Sequence, residues 1–562
     1  MGESKPGLFA REATGLVREV GFMLGVIIIL SHVVGLGWQK RAFQFTGPKP
    51  VPTDQLPLGL PAIFWAFLVC GIIVMITGYA AGYVTAAMPR SGGGYVTISR
   101  VIHPVVGYNA GWLMFLAEAF SYGLIGVAVF EAIMIFYNIA LAPTVVAFDA
   151  TMLFLGGVLI IVIFTILGLF GVRLYGWIMH GMFWPTAVIT IAFFAMWIAG
   201  AMDPSVVATG VETVMQAPAS TFNTLAVDSG MTDPANIATF YDAFSYALAG
   251  AFWAYMGWYS VTFIAGEVKE ANKKLPMVVL FSGFIIMIIY LGSSSFSAIS
   301  TMGVETFADA AGNEWSFFQS YSWLSYGPSA AKEAATAIPN FQAAWSTGIA
   351  SLIARGMDLG WLSWIIAFAG VIWLANDIPP FLLVASRTLF AMSFDRMMPE
   401  KVAEVSERWH SPTWALIITG IFGIIGCIAE SNVADLGGYV QFAGVVGADI
   451  FDATFLTLFC ISMMLLPLER KEIYDRAAVK HSIGGVVGLG AIASLLAGYC
   501  LFTFVRESVS FMFSPSGIED LVSSIGFWGC IAVGIMLYVY YMYRNTTKGV
   551  DMRTLYLSIP PE

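Results

Sequence analysis

The stretch Ser31-His32-Val33-Val34-Gly35-Leu36-Gly37-Trp38 places two glycines, one residue apart, and an imidazole late in an apolar run that begins near Val20. That composition weakens a helix where a bilayer would ask most of it. A helix can break at membrane depth only where other protein or a water-filled cavity satisfies the freed backbone groups, so a break is a candidate ligand site. A half-helix that stops offers carbonyls, and one that starts afresh offers amides and a partial positive charge. The amides of Gly35, Leu36 and Gly37 would take a carboxylate, and carbonyls near Val33 and around Trp253-Ala254 would take an ammonium. The glycines would let the backbone turn and approach such a ligand closely. In the alternative, Gly35 and Gly37 serve only close helix packing. A second candidate break falls at Ala254-Tyr255-Met256-Gly257-Trp258. Two broken helices in corresponding positions of two halves point to the binding site of a secondary transporter.

Acidic residues add a second kind of chemistry. Glu118, Glu131, Asp242, Asp377, Asp449 and Asp452 fall in or beside apolar runs, where a carboxylate is costly unless paired. Glu118, Tyr122 and Ile125 share one helical face, as do Asp449 and Asp452. Six acids at membrane depth without a lysine suggest traffic in cations, whether protons, sodium or amines. Glu118 could bind a substrate amine, carry a coupling proton or sit neutral in a structural hydrogen bond. Asp242, which opens its run, is expected at the interface.

The elements that must position these groups are membrane helices. Of 562 residues, 58% are hydrophobic and 11% charged, and the net charge of -10 offers no case for nucleic-acid binding. Mean hydropathy is +0.79. A spanning helix needs about 20 apolar residues, and the runs between breaks predict twelve spans: 20–38, 60–82, 105–137, 151–170, 176–201, 239–263, 276–302, 361–392, 413–430, 437–466, 483–505 and 525–543. The first lacks a signal-peptide cleavage pattern and follows a charged amphipathic lead-in, Leu8 to Glu19, so it reads as a retained helix. With both termini cytoplasmic, the inner segments hold most of the 26 Lys and Arg residues, as the positive-inside rule asks. A multi-pass protein of the cell membrane is expected. The long outer loops, about 203–238 and 303–360, should carry short helices of their own. The five cysteines all fall in apolar spans, and an odd number there argues for buried thiols and against a disulfide framework.

Enzyme classes find no support. Arg90-Ser91-Gly92-Gly93-Gly94-Tyr95 looks like a phosphate-cradling loop but lacks the Gly-Lys-Ser/Thr ending and a preceding strand. The five histidines are scattered, with no metal-ligand spacing. No cofactor is expected beyond a coupling ion, H+ or Na+, and no catalytic residue.

Several stretches resemble the amino acid–polyamine–organocation (APC) superfamily. Its first-helix motif, Gly-Ala-Ile-Ile-Gly-Ser-Gly-Ile, is similar to Ser31 through Trp38, and its loop between helices 2 and 3 is similar to Met88 through Tyr95, continuing as Arg100, Pro104, Gly107-Tyr108 and Gly111-Trp112. The sixth-helix signature resembles Trp253 through Gly257, then Glu267-Val268-Lys269 and Pro276; the eighth helix resembles Ser386 through Met392, followed by Asp395 and Met398-Pro399. Four such matches stand in order and register.

The resemblance implies an all-α integral membrane protein of LeuT type, with a 5+5 inverted repeat and discontinuous helices 1 and 6. The organisation would be a cytoplasmic lead-in (1–19), a first repeat (20–201), an outer loop (202–238), a second repeat (239–466), helices 11 and 12 (467–543) and a cytoplasmic tail (544–562). It also implies a small amino acid substrate moved by alternating access, as symport or exchange. The substrate pocket would be formed by Val33, Val34, Gly35, Leu36, Gly37, Glu118, Tyr122, Trp253, Ala254, Tyr255, Gly257 and Phe381, with Trp253 as an aromatic gate able to attract an ammonium through its ring face.

Departures from the family pattern matter most for coupling. Many members carry a lysine in helix 5 in place of a sodium ion; this chain has Thr186 there. Either Thr186, with carbonyls near Val33 and oxygens of helix 8 such as Asp377, makes room for sodium, or His32 supplies a titratable group near physiological pH; the reading leans to the proton. Arginine- and polyamine-type members place a Glu two residues after the sixth-helix Gly, where this chain has Tyr259. That puts a dibasic substrate in doubt, though Glu118 could compensate; with Leu36 it favours a neutral, apolar amino acid, with exchange of amino acids or of amines and polyamines as the alternative and a non-transporting sensor as the alternative of another class. Nothing in the sequence sets the oligomeric state.

Overall fold

The computed structural model describes residues 8–142 and 146–561. The first broken run forms α1 (Phe22–Val33) and α2 (Leu36–Gln44), followed by α3 (Ala62–Ala87), the short α4 (Gly93–Val101) and the long α5 (Pro104–Leu141). Pro104 opens α5 where its missing N–H costs nothing, and His103 Nδ1 accepts from the Val105 amide at 3.3 Å. Then come α6 (Ala150–Gly168), capped by Asp149 at 2.8 Å from the Met152 amide, and α7 (Gly171–Met202). The long loop 203–238 carries α8 (Pro204–Met215) and α9 (Ala219–Asp228) before α10 (Phe240–Tyr255) and α11 (Ala271–Met302). The long loop 303–360 holds a hairpin of β1 (Thr306–Ala308) and β2 (Glu314–Ser316), then α12 (Phe317–Tyr326), α13 (Ser329–Ala335) and α14 (Ser346–Gly356). The chain continues through α15 (Gly360–Phe394), α16 (Thr413–Ser431), α17 (Val445–Glu469), α18 (Lys471–Arg476), α19 (Ile483–Phe513), α20 (Ile518–Thr547) and α21 (Met552–Leu557).

Eleven helices among the described residues are long and apolar enough to cross a membrane, counting α1 and α2 as one span. The predicted span 239–263 falls short of that length because α10 has only 16 residues before the backbone leaves helical geometry at Met256. Burial sorts centre from rim. In the most apolar window of the first span 83% of residues are buried, against 17% in α20. On the rim large apolar side chains face outward, Ile191 at 70% and Ile525 at 63% exposure, as a hydrocarbon surround allows. The most extensive packings join α5 to α15, α17 to α19 and α3 to α11, so the second and third spans lie against the seventh and eighth.

Two of the motif regions become buried ion pairs. Arg100 forks onto Asp395 at 2.6 and 2.8 Å, with the Tyr95 hydroxyl adding 2.9 Å, and Arg387 forks onto Glu267 at 2.8 and 3.2 Å. The glycine loop also has a mechanical role. The Gly92 amide donates to the Phe263 carbonyl at 2.7 Å, and Gly92 sits at φ +85°, where a side chain would meet Ala391. The loop docks onto the segment that follows the second break, which accounts for its glycines without a phosphate.

Segments 8–20 and 545–561 meet the same end of the bundle. The Ala10 amide reaches Phe394 at 3.1 Å, Val20 exchanges hydrogen bonds with Glu267 and Lys269, and Arg90 and Arg470 hold the carbonyls of Pro560 and Leu557 at 2.7 and 2.9 Å. The two long loops, 203–238 and 303–360, close the other end together. Asn340 donates to the Val214 carbonyl at 2.7 Å and Trp323 to Ser229 at 3.0 Å. In the hairpin, donors from Asn313 and Trp315 hold the Asp309 carboxyl at about 2, down from 3.8. A depressed pKa contributes stability above the unfolded value that is lost as pH falls through the folded one. The hairpin should therefore loosen between about pH 4 and 2, and pepsin should nick 306–316 faster at the lower end in native protein, with no such acceleration in Asp309→Asn. Cys70, Cys427, Cys460 and Cys500 are buried and Cys530 half-buried, all as free thiols.

Candidate binding site between the two broken helices

The first run breaks where the sequence weakens it. α1 stops at Val33, Val34 leaves the helix at φ -84°, ψ 58°, Gly35 adopts φ -115°, ψ -106°, and α2 starts at Leu36. Gln39 fastens the break. Its amide donates to the carbonyls of Gly35 at 3.3 Å and Gly370 at 3.2 Å, and its oxygen accepts from Thr347 at 2.8 Å. The second run breaks after Tyr255, with Met256 extended and Gly257 at φ +91°. A Cβ on Gly257 would stand 2.6 Å from the His32 ring, and one on Gly37 would stand 2.7 Å from both the Ala254 Cβ and the Tyr290 hydroxyl. The two breaks therefore touch, and glycine at each is what lets them.

Between them lies a narrow cavity with about 30 Å3 of free volume. Of the residues singled out from sequence, His32, Val33, Leu36, Gly37, Glu118, Trp253, Ala254, Gly257, Asp377 and Phe381 line it. They arrive from α1, α2, α5, α10 and α15, together with Asp449 and Asp452 from α17. The His32 ring packs edge-on against Phe381, centroids 4.2 Å apart, and its Nε2 lies 3.4 Å from Glu118 Oε2.

Other expected members lie elsewhere. Tyr122 turns away: its hydroxyl donates to the Ile161 carbonyl at 2.7 Å and meets Thr165 at 2.9 Å, because the face it shares with Glu118 spans a wide arc and α6 takes that edge. Tyr255 reaches the Phe67 carbonyl at 3.0 Å. Val34 and Gly35 are buried in the break without lining the cavity. Thr186 spends its hydroxyl on its own helix, at 2.6 Å to the Met182 carbonyl and 2.9 Å to that of Phe183.

Three corrections concern the backbone and its charges. The Gly35 amide is engaged by the Val33 carbonyl at 2.9 Å, so the amides without a partner inside α2 are those of its first turn, Leu36, Gly37 and Trp38. The carbonyls assigned to an ammonium are occupied too. The Tyr290 hydroxyl, from α11, lies against the carbonyls of both Val33 and Ala254, sharing its one proton between them and reaching the latter at 2.6 Å. It ties the end of α1 to the end of α10. Tyr290→Phe should leave the buried Ala254 carbonyl without its donor, while the Val33 carbonyl keeps the Gly35 amide, and cost about 1–3 kcal/mol, read as a lower unfolding midpoint in detergent.

The third correction is that the interior does hold cations. The first span runs on to Gln44 and buries Lys40 and Arg41 at 8% and 4% exposure. Lys40 pairs with Glu131 at 3.0 Å. The Arg41 guanidinium stacks on Trp253 at 3.7 Å from the ring centre and shares a hydrogen bond with Gln44. The polar composition of residues 39–44 hid this continuation, since a hydropathy reading ends a span there. No sequence signal marked Tyr290, one of many tyrosines in apolar runs.

The family profile for amino acid permeases matches residues 26–537. The chain belongs to the amino acid permease family of the APC superfamily. Relatives include the b(0,+)-type amino acid transporter 1 of Oryctolagus cuniculus, 23% identical over 50% of this chain and 51% of its own. The serine/threonine exchanger SteT of Bacillus subtilis (strain 168) is 19% identical over 50% of this chain and 54% of its own, and the branched-chain amino acid permease BcaP of the same organism 23% identical over 53% and 50%. The chain thus matches about half the length of each.

Proposed function

We propose that this protein is a secondary active transporter that moves an amino acid across a cell membrane by alternating access, with both termini cytoplasmic. The observation that carries the reading is the cavity pinched between two broken helices, Val33–Leu36 and Tyr255–Trp258. There α2 presents unpaired amides to a carboxylate, and acids of three helices face an amine. Family membership and relatives named as amino acid transporters support it. A 5+5 inverted repeat fits the packing, since the breaks fall in the first and sixth runs and two of the most extensive helix pairs, α5–α15 and α3–α11, stand five spans apart.

Proton coupling is the reading favoured for the driving ion. His32 lines the cavity 3.4 Å from Glu118, whereas the Val33 carbonyl is taken by Tyr290 and the Thr186 hydroxyl by its own helix. Uptake into proteoliposomes tests both parts. An inward proton gradient should drive amino acid accumulation without sodium, and His32→Gln should lower the gradient-driven rate at least about tenfold while leaving equilibrium binding. A rate that requires sodium and survives His32→Gln would overturn the proton reading. Trp253→Ala should raise KM about tenfold by removing the aromatic wall and the Arg41 stack, measured in the same assay.

A further inference from the structure

The cavity holds more acceptors than a zwitterion can satisfy. Glu118 from α5, Asp377 from α15, and Asp449 and Asp452 from α17 all line it, at 2%, 3%, 3% and 4% exposure. Glu118 Oε2, Asp377 Oδ1 and Asp449 Oδ2 accept no hydrogen bond and neither nitrogen of His32 makes one, the nearest approach being His32 Nε2 at 3.4 Å from Glu118 Oε2. Asp452 alone is served in part, by the Tyr259 hydroxyl. The buried cations of the same region are engaged elsewhere, Lys40 with Glu131 at 3.0 Å and Arg41 on the face of Trp253 at 3.7 Å. Among the described residues neither makes an ion pair with any of the four.

A neutral amino acid brings one ammonium and one carboxylate, so it adds an acceptor for each charge it satisfies. A buried carboxylate needs a cation or a donor close by. Resting on the reading that this cavity binds an amino acid, we propose that its substrate carries a second positive charge, an ammonium or guanidinium on the side chain. The α-carboxylate meets the first-turn amides of α2, the α-ammonium meets one group of acids, and the side-chain cation reaches the other. Trp253 and Phe381 wall the aliphatic stem between them. This reverses the neutral, apolar substrate expected from Leu36 and Tyr259. The acids come from three helices whose mutual placement the sequence does not give, and Tyr259 turns its hydroxyl to Asp452, leaving the carboxylate function to α17.

The test is equilibrium competition on the full chain in lipid nanodiscs. L-lysine and L-arginine should displace a radiolabelled basic amino acid at least tenfold more tightly than L-leucine. Glu118→Gln and Asp449→Asn should each weaken lysine tenfold or more and narrow the lysine-to-leucine ratio, with unfolding midpoints confirming a folded protein. Wild-type protein alone decides the matter if a variant fails to fold. Leucine binding as tightly as lysine or tighter, or a ratio unmoved in folded variants, overturns the inference and leaves amino acid transport standing. Binding of no amino acid at all overturns both.

Discussion

Gly257→Val is expected to abolish uptake, to below about 1% of the native rate, while the protein still inserts. Three effects act at one atom. Gly257 sits at φ +91°, where an L-residue pays about 1–2 kcal/mol of backbone strain. Its Cβ would stand 2.6 Å from the His32 ring, a stiff aromatic that is itself wedged against Phe381. Relief would push the imidazole toward Glu118 and close the cavity. A site whose ligand-binding groups shift by even 1 Å loses on the order of a hundredfold in rate, and here both binding space and backbone path are lost. Gly257→Ala should show the same direction with a smaller loss. Uptake assays at matched protein insertion check it, and native-like rates in Gly257→Val would mean that this backbone bend has no part in transport.

The second large effect is on stability. Glu267→Ala should cost about 3–5 kcal/mol, because it strands the Arg387 guanidinium, 1% exposed, in the bundle interior. Among the described residues its other side-chain acceptor is the Ser386 hydroxyl at 3.2 Å. The pair itself need not add much net stability, since desolvation offsets most of its attraction. The double variant Glu267→Met with Arg387→Met should therefore recover most of the loss. Unfolding midpoints of the two single variants and the double in detergent measure the cycle. The pair also ties the segment after the second break to α15, so the double variant, though stable, should transport more slowly.

These predictions show what was legible in the sequence and what was not. The breaks at Gly35 and Gly257 were readable because glycine and polar residues interrupt apolar runs that otherwise sustain a helix. The charge pairs were readable only as residues. Arg100, Asp395, Glu267 and Arg387 stand in recognisable motifs, but the pairing joins positions 295 and 120 residues apart. Helical periodicity placed Glu118 and Tyr122 on one face without saying that the face is wide enough for α5 to turn one residue to the cavity and the other to α6. Lys40, Arg41 and Tyr290 were invisible for a common reason. Each depends on which helix lies opposite, and a buried cation or hydroxyl carries no pattern in its own segment.

The central claim is that an amino acid sits between the two broken helices. A cryo-EM structure in nanodiscs at saturating L-lysine tests it most directly. The account predicts density in the cavity, with the carboxylate on the amides of Leu36, Gly37 and Trp38 and the amines beside Glu118, Asp377, Asp449 and Asp452. Lysine density elsewhere in the protein, with this cavity unchanged and empty, would contradict it.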